Sequence, residues 1–221
     1  MTTPLPADPL LPTFRWNPAL RHGAGGYIDE RGRMVAQTTI RDGLDSLLDA
    51  KKGEMGNLSV ALRDGKISLG EWQTAMMQQV KDVHLISGAM ERGGWAQMTQ
   101  ADFGRVGQAV RGEYGYLRNF AKEIEDGLPL DGRFVRRAEL YGEAGRDTYY
   151  EFARVSARRN GYDEESSIRH AKESCSECIE QEGRGYVPIG TLVPIGSRQC
   201  LSRCKCSIEY RNSETGVTVA Y

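Results

Sequence analysis

From Thr39 to about Asp126 the apolar positions recur with the period of a helix. Ile40, Leu44, Leu47 and Leu48 fall on one face, and Leu58, Val60, Ala61 and Leu62 repeat the pattern before Asp64-Gly65 interrupts it, so two short helices are expected. Ser68-Leu-Gly-Glu71 reads as a capping box, in which the serine accepts a first-turn amide and the glutamate reaches back. The longer helix that follows carries Trp72, Met76, Val80, Val83 and His84 along one face, where methionine, aromatic and histidine side chains are read as packing. Gly93-Gly94 breaks it. Thr99-Gln-Ala-Asp102 then opens a helix whose stripe of Phe103, Val106, Val110, Tyr114, Leu117, Phe120 and Ile124 runs to Gly127. Asp131 caps a further helix, expected to continue to about Asn160-Gly161. Helices joined by short breaks predict a bundle.

The two ends read differently. Residues 1–36 form an arm holding Pro4, Pro6, Pro9, Pro12 and Pro18 together with Leu10, Leu11, Phe14 and Trp16, then Gly23, Gly25 and Gly26. Proline blocks helix, and large apolar side chains need a surface to cover, either the arm's own domain or a neighbouring subunit. Tyr27 to Val35 suggests a short hairpin around Gly32. Residues 37–160 form the helical domain, and residues 161–221 a small cysteine-rich module. In that module Asp163-Glu-Glu is expected to begin a short helix carrying Ile168. Val187-Pro-Ile-Gly190 and Val193-Pro-Ile-Gly196 repeat a turn signal. Ser207 to Tyr210 and the alternating Val217, Val219 and Tyr221 predict two paired strands. The expected fold class is mainly α: a helical bundle with a small C-terminal, zinc-stapled β element.

All five cysteines lie in this last module, as Cys175-Ser-Glu-Cys178 and Cys200-Leu-Ser-Arg-Cys204-Lys-Cys206. A Cys-x-x-Cys pair turns two sulfurs toward one point, and a second cluster a loop away closes a tetrahedron, as in a structural zinc knuckle. The competing readings are a disulfide framework or inert buried thiols. An odd cysteine count and no leader-like N-terminus favour a reducing compartment and hence metal. A redox-active Cys-x-x-Cys is disfavoured because no strand-then-helix context is apparent around Cys175. Five thiols compete for four places, and His170 is a weaker candidate than any of them. A closed structural site contributes folding energy and has no open position for catalysis.

Charge adds little. The formal net charge is −1, so no sequence-independent grip on nucleic acid is advertised by the total. Arginines 133, 136, 137 and 146 alternate with acidic residues along the last long helix and read as a solvated face; Arg154, Arg158 and Arg159 are the least neutralised stretch and the best place for a phosphate or acidic partner. No long apolar run suggests a membrane span. Phosphate-binding glycine loops, a His-Glu-x-x-His and a Gly-x-Ser-x-Gly elbow are all missing, and three histidines leave little material for a nucleophile and base, so no catalytic residues are assigned and no enzyme is expected.

Arg137-Ala138 to Tyr141 on a helix, the Cys-x-x-Cys, the Pro-Ile-Gly loop and the terminal Cys-Lys-Cys before a strand resemble the C-terminal half of phage head morphogenesis proteins, the family of the minor head protein F of phage Mu. The helical part is similar to phage-encoded members through Gly65-Lys-Ile-Ser-Leu-Gly-Glu-Trp72, Arg92-Gly-Gly-Trp95 and Tyr116-Leu-Arg-Asn-Phe120. The resemblance spans roughly residues 27–211. It implies a minor capsid or portal-associated protein, present in several copies of a symmetric assembly, binding portal, major capsid or other virion subunits and touching packaged DNA. The expected location is the virion, and the host cytoplasm during assembly. The family pattern has a histidine separated by two residues from its Cys-x-Cys; here Cys200 stands near that place, separated from Cys204 by three. Cys175, Cys178, Cys204 and Cys206 match best, and Cys200 remains a candidate zinc ligand. A zinc-containing module that contacts nucleic acid is the alternative function.

Overall fold

The computed structural model describes residues 14–20, 25–200 and 204–221. It is mainly helical, with small antiparallel sheets and the cysteines gathered near the C-terminus. Helices α1 (Gln37–Arg63), α2 (Leu69–Arg92), α3 (Gln100–Glu125), α4 (Gly132–Glu139) and α5 (Gly145–Arg159) pack around α2, which lies against α1, α3 and α5.

The capping box expected at Ser68 forms, and the helix start expected at Thr99 proves to be a second one. Ser68 Oγ accepts from Glu71 N while Glu71 Oε2 accepts from Ser68 N, and Thr99 and Asp102 repeat the exchange. Asp131 caps α4 by accepting from Arg133 N and Phe134 N. Trp72 sits at the centre of one core, edge-on to Phe120 and tilted against Phe134, and its Nε1 donates to Ser59 Oγ at 3.0 Å. That contact removes the cost of burying an indole N–H without a partner.

Several local expectations are corrected. The two helices expected between Ile40 and Leu62 are one, α1. Met55 is fully buried in the Trp72 cluster and Gly56 lies under Glu139, so tertiary contact carries the helix through Gly53 and Gly56 despite their low propensity. Conversely, the single helix expected from Asp131 to Asn160 is broken by a 3-10 turn at Leu140–Glu143. There Gly142 presses on α1, where a Cβ would come within 2.6 Å of Lys52 N; the close crossing forces the break. The segment expected to form a helix after Asp163 is instead strand β3 (Glu164–Ile168). Its inward residues are Glu165 and Ser167, both essentially unexposed, so the alternation that marks a strand is written in polar residues.

Strand β3 is followed by α6 (Ser176–Gly183) and β4 (Val187–Pro188), then β5 (Ser207–Arg211) and β6 (Thr218–Ala220), giving an antiparallel sheet in the order β4-β3-β5-β6. The β5–β6 pairing is the one expected from the sequence. At the other end β1 (Arg15–Asn17) pairs with β2 (Gly26–Ile28), and the turn after Ile28 closes through a bridge to Met34. Phe14 and Trp16 pack on the chain's own core, Trp16 edge-on to Tyr27. Residues 1–13 and 21–24 of the predicted arm, including Leu10, Leu11 and Gly23, lie outside the described residues.

The sheet and the helices share one apolar cluster. Ile40, Leu44 and Leu48 from α1 and Tyr149, Tyr150 and Ala153 from α5 meet Ile208, Tyr210, Val219 and Tyr221, and Cys178, Cys204 and Cys206 belong to the same cluster. Among the described residues no helix is long and apolar enough to cross a membrane.

Candidate metal centre

The first two sulfurs are placed by α6. Cys175 is its N-cap residue and its Sγ accepts from Cys178 N at 3.4 Å, which turns Cys178 inward one helical turn later. The motif therefore does have a strand before it, β3, and a helix after it, contrary to the sequence reading. The six-residue link hides this because β3 itself is masked by its polar inward face. Cys200 arrives from the end of the Pro-Ile-Gly loop. Cys204 and Cys206 precede β5, and both are buried.

Two groups of three sulfurs result, Cys175-Cys178-Cys200 and Cys178-Cys204-Cys206, each with all its ligand atoms within 4.8 Å of one another. Cys178 is common to both, with its Sγ 3.5 Å from that of Cys200 and 3.6 Å from that of Cys204. A tetrahedron with metal–sulfur bonds of ~2.3 Å has edges of ~3.8 Å, so these separations match a thiolate cage. They are far from the ~2.05 Å of a disulfide, and all five cysteines are free. All five expected ligands thus converge and can hold a metal ion. His170 belongs to neither group: its Nε2 lies 2.8 Å from Ser207 Oγ and 2.6 Å from the Arg41 guanidinium.

The electrostatics suit a cation. A hydrogen bond from Cys206 draws the Cys204 thiol down to about 5 in spite of burial, while that same bond, followed by burial, pushes Cys206 far up. Burial and then the neighbouring thiols push Cys200 up as well. Crowded thiols that share protons in this way ionise together only when a positive ion joins them.

The loop between the cysteine pairs is fixed by residues that no motif singles out. Pro188 and Pro194 each accept from the residue three further on, so Val-Pro-Ile-Gly makes the same turn twice. Gly190 and Gly196 occupy the third position of these turns with φ of 99° and 100°, a region that suits glycine. Glu165, fully buried, accepts from Gly190 N and Leu192 N, both at 2.9 Å, and pairs with Arg154. Gln181 Oε1 accepts from Val193 N. Arg198, also fully buried, donates to Val193 O and Ser167 Oγ and points NH1 at Cys178 Sγ from 3.8 Å. A guanidinium there favours the thiolate form of Cys178 and orients it from outside the sulfur shell.

These contacts account for two of the three arginines read as a phosphate surface. Arg154 is spent on Glu165 and the Leu192 carbonyl, and Arg158 donates to Ile189 O at 2.7 Å; Arg159 is exposed. Comparisons of the chain with protein-family models, with curated proteins and with solved structures find no match.

Proposed function

We propose that this chain is a structural component of a phage head, a minor capsid or portal-associated protein that acts by binding neighbouring subunits and whose C-terminal module is held in shape by one zinc ion. The observation that carries the reading is the convergence of the Cys-x-x-Cys and Cys-Lys-Cys motifs across a double Pro-Ile-Gly turn, at the end of a helical body. This is the layout implied by the resemblance to head morphogenesis proteins. Zinc is favoured over other thiophilic ions because it prefers tetrahedral sulfur and needs no redox partner. Four thiolates complete its shell, which makes the site structural; binding rather than turnover is the corresponding role. Contact with packaged DNA draws less support, since Arg154 and Arg158 serve the loop.

In this reading the protein resides in the assembled particle and, before that, in the cytoplasm of the infected host. Quantitative mass spectrometry of proheads and mature particles, produced from a genome carrying this sequence, tests it. The expected outcome is the chain in proheads at a fixed ratio to portal or major capsid protein, with misassembled heads when it is deleted. Normal particles lacking the chain would overturn the proposal.

A further inference from the structure

On the far side of α5 from the cysteines, two adjoining cavities of about 300 and 340 Å³ open between α3, the 3-10 turn with the start of α5, and the second Pro-Ile-Gly turn. Both are lined by Glu113, Ala144 and Asp147. Neither carboxylate makes an ion pair among the described residues. Asp147 Oδ2 accepts from Ser197 Oγ at 3.3 Å, but Oδ1 is buried without a hydrogen-bond partner. The arginines on the same walls are committed elsewhere, Arg105 to Asp102 and Arg137 to Glu123. Burial holds the Asp147 carboxyl up at about 6 against the Ser197 hydrogen bond and the more distant Arg146 charge, and burial followed by the Asp147 charge raises Glu113.

A second observation comes from His84, which lines one cavity and is 2 % exposed. Its Nδ1 is 2.6 Å from Thr148 Oγ1, and its Nε2 has no partner. Burial depresses its pKa to about 4, so the ring is neutral and, with Nδ1–H on the threonine, Nε2 is an unused acceptor. At the mouth stand Tyr116 and Leu140, 67 % and 51 % exposed, two of the few large apolar side chains left in water among the described residues.

We propose that this cleft receives an arginine or lysine side chain from a partner polypeptide, its charged head between Glu113 and Asp147 and its stem against Tyr116 and Leu140. Unpaired carboxylates and a free imidazole acceptor call for a donor with positive charge. Among the described residues only cysteines bring three ligand atoms within 4.8 Å of one another, so a compact metal ion fits this cleft less well than an extended organic cation. An aromatic face beside the mouth suits a guanidinium, and an apolar rim continuing outside the cavity suits the chain that carries it. The inference stands on the cleft alone and does not rest on the phage-head reading.

The test titrates the full chain with the peptide acetyl-Gly-Arg-Gly-amide and follows amide shifts by NMR. Acetyl-Gly-citrulline-Gly-amide serves as the uncharged control and agmatine as the free amine. Saturable shifts at Ala144, Ser197 and Tyr116 are expected with the arginine peptide. Affinity should be at least ~10-fold weaker for the citrulline peptide and for Glu113→Gln, and lower for the surface variant Tyr116→Ser, which leaves the fold intact. No saturable shifts, equal binding of the citrulline peptide, or an unchanged affinity in folded Glu113→Gln would each overturn the proposal. Agmatine binding ~10-fold more tightly than the peptide would overturn its polypeptide source and assign the cleft to a small amine.

Discussion

Asp147 is a carboxylate kept where its charge is disfavoured. Its folded pKa, about 6, lies above the ordinary 3.8, chiefly through burial. The folded state therefore binds this proton more readily than the unfolded chain does. The side chain's contribution is fully favourable below about pH 4 and is lost as the pH rises through about 6. Asp147→Asn should accordingly stabilise the protein at pH 7.5 by on the order of 1–2 kcal/mol, less than the full shift because the group is partly solvated, and have little effect at pH 4. Urea melts of parent and variant at the two pH values check this, and equal differences at both would contradict it. The same substitution removes half of the proposed cation clamp, so stability gained at this position would come with binding lost. At this scale the sequence was legible where chemistry is concentrated in one residue type: five cysteines among 221 residues announced themselves as a candidate ligand set. Arg198, Glu165 and Gln181 did not, because a buried polar side chain is recognisable only from the partners that surround it.

At the scale of elements, the duplicated Val-Pro-Ile-Gly has a mechanical explanation. Arg158 and Asp147 lie three turns apart on α5, and each meets one copy of the turn. Arg158 donates to Ile189 O beside Gly190, while Asp147 sits where a Cβ on Gly196 would be. The repeat thus seats the loop on one helix face and delivers Cys200 to the sulfur cluster. Gly196→Ala combines a left-handed backbone with direct overlap on Asp147, and should cost ~2 kcal/mol or more in the metal-loaded protein. Gly183→Ala, in open space on α6, should cost little by comparison. Chemical denaturation of the two variants separates the cases, and similar midpoints would refute the seating argument. Helix starts were readable because capping boxes are local hydrogen-bond exchanges between residues three apart. Helix continuity past Gly56 and its interruption at Gly142 were not, since each is decided by a contact with a distant segment, Glu139 in the first case and Lys52 in the second. Strand β3 escaped notice for a related reason, its buried side chains being a glutamate and a serine matched only by loop and helix partners.

For the whole molecule, the important fact is that the sulfur cluster is part of the main core. Cys178, Cys204 and Cys206 share a cluster with Leu44, Tyr149 and Tyr210, and Tyr150 on α5 donates to Cys206 O at 3.2 Å. Removing an ion from that position would leave charged or proton-sharing thiols against α1 and α5, so the penalty reaches the helices as well as the tail. The mostly helical class with a cysteine-pinned C-terminal sheet was legible from periodicity and spacing. The merging of sheet and bundle into one core was not, because no local pattern states which faces meet.

Whether a bound ion holds the sulfur cluster and the core around it is decided by metal analysis of protein purified without chelator, combined with thermal unfolding before and after a strong chelator is added. About one zinc per chain is expected and, on its removal, a lower midpoint seen equally in the helical far-UV signal, in the β-sheet signal and in tryptophan fluorescence, which combines Trp72 in the helical core with Trp16 and Trp95. Protein that purifies without metal, or that binds zinc with no change in its unfolding, would contradict it.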